Sequence, residues 1–173
     1  VVEECHRHLN NEVTITDVAS VKGSVIEAVT QTYGFMPEQF VPGHPIAGSE
    51  RNGVTAADHN LFTDHRVVLT PDLKTGEEHL SRVAKLWSDV GALVSTMAVE
   101  DHDEILAATS HLPHFLAYSL VDTLASLGDK NEIFKFAAGG FRDFTRIAAS
   151  DPVMWRDIAL ANQSSILDVL DKV

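Results

Sequence analysis

The chain has 173 residues, 45% hydrophobic and 22% charged, enough apolar material for a sizeable core in one domain or in a domain and part of another. Its formal net charge of -12 argues against nucleic acid, whose affinity rests largely on neutralised phosphates, so any anionic ligand needs locally placed Arg, Lys or helix N-termini. No apolar run approaches the ~18 residues of a membrane helix, no signal peptide opens the chain, and the single cysteine, Cys5, excludes an internal disulfide and fits a reducing cytoplasm.

VVEECHRHL at the start reads as the end of an amphipathic helix, followed by a turn at NNE. VTITDV (13–18) alternates β-branched residues like a buried strand. SVKGSVIEAVTQTYG (20–34) has helical character, with Gly34 at the C′ position. QFVPGHP is short and extended, and HRVVLTP (65–71) is a second strand stopped by Pro71. TGEEHLSRVAKLWSDVG (75–91) is a helix with Leu80, Val83, Ala84, Leu86, Trp87 and Val90 on its apolar face, closed by Gly91. ALVSTM is a third strand. Strand and helix thus alternate up to about residue 98, the signature of an α/β sheet.

Beyond Met97 the pattern is helical. Residues 99–128 form one long apolar-periodic stretch in which Pro113 removes a backbone bond and predicts a kink. NEIFKFAAGGFRDFTRIAAS follows, with Gly139-Gly140 as a break. Asp151-Pro152 predicts an N-cap with Pro at the first helical position, and one last helix runs from there to the end. The domain boundary is expected near 98, with residues 1–98 α/β and residues 99–173 all-α.

Four stretches carry polar chemistry. TDVASVKG (16–23) ends a strand and opens a helix, presenting N–H groups and hydroxyls at a strand's carboxyl edge, where open α/β sheets bind ligands; an ordinary cap by Ser20 explains it as well. In GHPIAGSE, His44 on a rigid turn has the chemistry to take a proton from a hydroxyl under oxidation, or is simply a loop histidine; Ser49 and Glu50 follow it. In SHLPH, His111 and His114 share a helix face, but zinc needs a third and fourth ligand, so no metal site is expected. Ser110 and these histidines suit hydrogen bonds to a polar ligand, or to backbone carbonyls in a core. The stretch 139–157 holds three of the seven arginines, Arg142, Arg146 and Arg156, suited to gripping a carboxylate or to pairing with Asp143, Asp151 and Asp157. The remaining histidines, His102 among them, read as surface, and EDHDE as a solvated helix start.

Taken together, TDVASVKG, GHPIAGSERNGVTAADHNLF, VVLTP, HDEILAATSHLPHFLAYSLV and GGFRDFTRIAASDPVMWRD resemble the prephenate dehydrogenase family, including its arogenate- and cyclohexadienyl-type relatives of tyrosine biosynthesis. The resemblance runs in order over nearly the whole chain. It implies an α/β remnant of a Rossmann-type nucleotide-binding domain followed by a helical dimerisation domain. It implies oxidative decarboxylation of prephenate to 4-hydroxyphenylpyruvate, with hydride passed to NAD or NADP. His44 then matches the catalytic histidine that accepts the ring-hydroxyl proton, and Ser20 orients it. Arg146 matches the arginine that holds a carboxylate of the small dicarboxylate substrate. His114, Ser110, Glu50 and Trp155 line the same pocket, in a cleft between the two parts. Ser20, Lys22 and Ser49 face the cofactor. The family further implies a homodimer through the helical part, a cytoplasmic enzyme, and tyrosine as a feedback ligand in the same pocket.

One departure stands out: no G-x-G-x-x-G occurs. The chain is therefore expected to be a fragment that binds NAD poorly and has little activity alone. Two other readings compete: a non-catalytic module for dimerisation or for sensing an aromatic amino acid, and a metal-dependent hydrolase using His111 and His114.

Overall fold

A computed structural model describes residues 2–10, 12–48, 53–128 and 130–173. The chain divides into two compact units, Val1–Glu104 and Ile105–Val173. The first is α/β and the second helical, as the alternation of patterns predicts.

The first unit begins with a short helix, α1 (Val2–His6), and a two-residue strand, β1 (Ile15–Thr16). Helix α2 (Lys22–Tyr33) ends at Gly34, whose left-handed φ of 79° fits its expected place past the last turn. Strands β2 (Phe40–Val41), β3 (Gly43–Ile46), β4 (Arg66–Leu69) and β5 (Leu93–Thr96) follow, with α3 (Glu77–Asp89) between the last two. β1 pairs in parallel with β2, Ile15 opposite Phe40. β3 runs antiparallel to β4, with His44 opposite Val68, and β4 parallel to β5, with Val68 opposite Ser95.

Val41, Val67 and Leu69 from the strands pack with Val83, Trp87 and Ala92 into one core, with Phe62 against it. The Phe62 ring stands edge-on to Trp87 at 5.0 Å. Val29, Met36 and Phe40 form a second core beneath α2. α3 closes through Gly91: its N–H donates to Ser88 O, and that of Ala92 to Trp87 O. This six-residue closure needs the left-handed φ of 87° that glycine adopts without a Cβ penalty.

Two sequence expectations change here. The strand expected over 13–18 shrinks to Ile15–Thr16, because Asp17 turns its carboxylate onto backbone N–H groups and Val18 is exposed. Leu86 and Val90, expected on the buried face of α3, are also exposed.

The long stretch predicted over 99–128, whose residues 99–104 belong to the first unit, is interrupted as Pro113 requires. Helix α4 (Val99–Leu106) widens into a π-helical turn, Ala107–His111, before α5 (Leu112–Ser126). The Leu112 N–H reaches back to Ala107 O, and Pro113 sits in the first turn of α5. The wider turn relieves the clash of the proline ring with the carbonyl four residues earlier. Gly139-Gly140 opens α7 (Gly139–Thr145), after α6 (Lys130–Lys135) has ended. A 3₁₀ turn, Arg146–Ala149, leads to α8 (Pro152–Ala161), which Asp151 caps through the N–H groups of Val153 and Met154. The single terminal helix expected from Pro152 is in fact two. Asn162, at φ −119° and ψ 33°, breaks it, and α9 (Gln163–Leu170) follows. Among the described residues no helix is long and apolar enough to cross a membrane.

Candidate active site

His44 lies within β3, not on a turn, and is buried. Its Nδ1 is 2.9 Å from Nε2 of His102, and the two rings meet edge to face at 5.1 Å. His102, on the first turn of α4, is 0% exposed, and its Nδ1 stands 2.7 Å from Asp103 Oδ1. The surface position expected for His102 is thus overturned, as is the solvated helix start expected for EDHDE at Asp103, which is also buried. The helix period gave a clue: His102 lies four residues before the buried Leu106, on the same face of α4.

Asp103 is the far end of this chain and also the cap of α2. Its Oδ1 accepts from the Lys22 N–H at 2.9 Å and its Oδ2 from the Gly23 N–H at 2.8 Å. The N-cap position of α2 is Val21, with no side-chain cap of its own, so the cap expected from Ser20 comes instead from a residue 80 positions downstream of Gly23. Gly23 makes the approach possible: a Cβ there would stand 3.0 Å from Asp103 Oδ2. Burial pushes the Asp103 carboxyl up, but the bonds from His102, Lys22 and Gly23 outweigh it, and the net shift is downward.

Lys22 is 0% exposed. Its ammonium pairs with Asp17 Oδ2 and donates to Gly43 O at 2.6 Å. Asp17 in turn accepts from the N–H groups of Gly43 and Ala19 at 3.0 and 2.9 Å. Burial lowers the Lys22 pKa, against the opposing pull of Asp17 and Asp103. The ammonium expected to face a cofactor is therefore engaged inside the protein.

These bonds bear on what the strand edge holds. The first N–H groups of α2 and the Lys22 ammonium, the donors a pyrophosphate needs, are taken by Asp103, Asp17 and Gly43 O. Ser20, next to this edge, is half-buried. Ser49 and Glu50 lie outside the described residues.

In the helical unit, the wide turn before Pro113 frees carbonyls that side chains recover. Thr109 Oγ1 donates to Ile105 O at 2.7 Å, and His114 Nδ1 to Ser110 O at 2.9 Å. A carbonyl only accepts, so His114 carries its proton on Nδ1 and presents Nε2 as acceptor. Burial lowers the His114 pKa, with the Ser110 bond opposing. Its ring stacks on Trp155 at 3.6 Å and 19°. Ser110, His114 and Trp155, singled out from sequence, thus belong to one cluster. His111 is buried and meets the Asn162 side chain at 3.2 Å, as a core histidine. Arg146 opens the exposed 3₁₀ turn after α7. Arg156 pairs with Asp157 at 2.7 Å, the structural alternative for that arginine, and Asp151 is engaged as a cap.

Comparison with known proteins covers the chain from end to end. Residues 1–96 match the family model described as prephenate dehydrogenase, nucleotide-binding domain, and residues 98–173 that of prephenate dehydrogenase, dimerization domain. A cyclohexadienyl dehydrogenase of Zymomonas mobilis is 43% identical over 94% of this chain and 56% of its own length. A prephenate dehydrogenase of Bacillus subtilis is 42% identical over 98% of this chain and 46% of its own. The chain therefore spans about half the length of these relatives. A crystal structure of prephenate dehydrogenase from A. aeolicus, in complex with hydroxyphenyl propionate and NAD+, superposes with a TM-score of 0.90 at 41% identity, covering 99% of this chain and 59% of that one. Synechocystis arogenate dehydrogenase superposes at 0.80 with 31% identity, over 99% and 61% of the two chains.

Proposed function

Because the chain belongs to the prephenate dehydrogenase family, we propose that it serves the oxidative decarboxylation of prephenate to 4-hydroxyphenylpyruvate, with NAD+ as hydride acceptor. Bound NAD+ would supply the acceptor for a hydride from the hydroxyl-bearing ring carbon. The bond from the opposite ring carbon to its carboxylate then breaks, its electron pair enters the ring, and carbon dioxide leaves. Aromaticity drives the sequence. The balance releases no net proton. The hydroxyl proton is taken up as the carbon becomes carbonyl-like and is returned to the phenolate oxygen once carbon dioxide has gone.

His44 is the group suited to that loan. The observation that carries the reading is its burial on β3 with Nδ1 at 2.9 Å from His102, an imidazole held in place by a second ring. Ser20 orients the hydroxyl or His44. Arg146 holds a substrate carboxylate against the net charge of -12, and Trp155 with His114 supplies a flat wall for the ring. NAD+ as the cofactor is supported by the A. aeolicus complex, and prephenate as the substrate by the name of the B. subtilis relative. A homodimer through the helical unit is supported by its family model and by exposed apolar side chains such as Leu160, Leu167 and Leu170.

The test is His44→Asn in the intact protein, assayed with prephenate and NAD+. Turnover should fall by about 10²–10⁴-fold, the usual worth of a general base, with prephenate affinity kept. A parent protein that binds an aromatic ligand without turnover would mark a sensing module instead.

A further inference from the structure

We propose that His102 is a positioning residue for His44, fixed in its role by Asp103, so that His44 keeps its ring proton on Nδ1 and its lone pair on Nε2. The inference rests on the proton-acceptor reading of His44 given above.

Each hydrogen bond along this chain fixes the place of one proton. Asp103 accepts at both oxygens, from two backbone N–H groups of α2 and from His102 Nδ1. A carboxylate so surrounded donates nothing, so Nδ1 of His102 must carry the proton of the 2.7 Å bond. With its one ring proton placed on Nδ1, His102 has only a lone pair on Nε2. The 2.9 Å bond to His44 requires a proton from the other side, and His44 Nδ1 supplies it. Nε2 of His44 then carries no proton, as a proton acceptor requires. The opposite polarity would put a proton on Nε2, and His44 could then accept nothing there.

The same chain answers the charge that arrives with the substrate proton. An imidazolium at His44 still donates from Nδ1 to His102, and the Asp103 carboxylate lies two hydrogen bonds away in a buried setting where such attraction is weakly screened. The other charges at the carboxylate end are Lys22 and Asp17, which pair with each other. The relay is anchored, because Asp103 is also the cap of α2 and is not free to turn.

Two measurements test this on the intact protein. The first is ¹⁵N–¹H correlation of the histidine rings, with His44 assigned by its absence in His44→Asn. We expect His44 protonated on Nδ1 and bare on Nε2. The second compares His102→Gln and His102→Leu. A glutamine keeps the polarity, its carbonyl accepting from His44 and its amide donating to Asp103, so kcat should stay within about tenfold of the parent. Leucine removes the acceptor, and kcat should fall about 10²-fold or more with KM nearly unchanged, as when other catalytic histidines lose their tautomer. His44 protonated on Nε2 in the parent would overturn the inference, as would full kcat in a folded His102→Leu protein. The spectrum decides even if that variant does not fold. Unchanged turnover in His44→Asn would instead remove the proposed role of His44 and leave the tautomer standing.

Discussion

Replacing Asp103 by alanine tests the hub of the site, and the structure sets the size of the effect. Its carboxylate caps α2 through the N–H groups of Lys22 and Gly23, and it satisfies the Nδ1 proton of a fully buried histidine. Loss of a helix cap costs about 1–2 kcal/mol. Stranding the His102 donor in the interior adds about 1–3 kcal/mol. The sum is about 2–5 kcal/mol, which for a chain of this size lowers Tm by roughly 5–15 °C. Urea unfolding at fixed protein concentration, followed by circular dichroism, measures it; the concentration is held because association would shift the midpoint. The pH dependence adds an independent check. The Asp103 carboxyl lies below its ordinary 3.8 when folded, so the unfolded chain binds the proton first as acid is added. The stabilisation is complete above that ordinary value and is lost as pH falls through the folded one. The gap between parent and Asp103→Ala should thus be full at pH 7 and narrow below about pH 4. A gap under about 0.5 kcal/mol at pH 7 would refute the reasoning, since a change of that size is what an uninvolved surface residue gives.

Gly23→Ala should destabilise by about 1–2 kcal/mol in the same urea assay, although alanine normally favours a helix, because its Cβ would stand 3.0 Å from Asp103 Oδ2. His114 has a folded pKa below its ordinary 6.5, so the unfolded chain binds more protons between the two values and stability rises with pH through that window. His114→Gln should flatten this slope in thermal melts between pH 5 and 7, a range set by the ordinary histidine value. On the proposed carboxylate-binding role of Arg146, Arg146→Ala should raise KM for prephenate far more than it lowers kcat, because such binding is shared by ground and transition states.

Local rules made much of the fold legible. Gly34 and Gly91 end helices where glycine is expected to, Asp151-Pro152 opens α8, and Pro113 marks the break between α4 and α5. Each of these depends on residues within one turn of it. The failures depended on partners far along the chain. Nothing near Asn162 announces a break, because its partner His111 lies 51 residues earlier. His102 and Asp103 look like a solvated helix start until β3 and α2 are brought against them, 58 and 80 residues away. Ser20 looked like the cap of α2 because it was the nearest hydroxyl, while the actual cap comes from the start of α4.

Two separate networks hold His44. One fixes its ring, through His102 and Asp103. The other fixes the backbone just before it: the Gly43 N–H goes to Asp17 and the Gly43 carbonyl to Lys22. Both networks end on the first turn of α2, one on the Lys22 backbone N–H and the other on its side chain. A lysine so placed costs desolvation, seen in its lowered pKa, and replacing a buried ion pair by apolar side chains is often neutral or stabilising. Stability is therefore a weak reason for Lys22 and Asp17 to be there. On the proposed role of His44 placement is a stronger one, since a general base acts only within hydrogen-bond reach of its proton, and a strand end tied by charged groups at both the N–H and the carbonyl of one residue resists sliding. On this argument Lys22→Met with Asp17→Leu should lose kcat through a displaced His44, and its Tm should fall as well, because the Gly43 N–H and carbonyl lose their partners. A double variant with undiminished kcat would show that β3 alone is rigid enough.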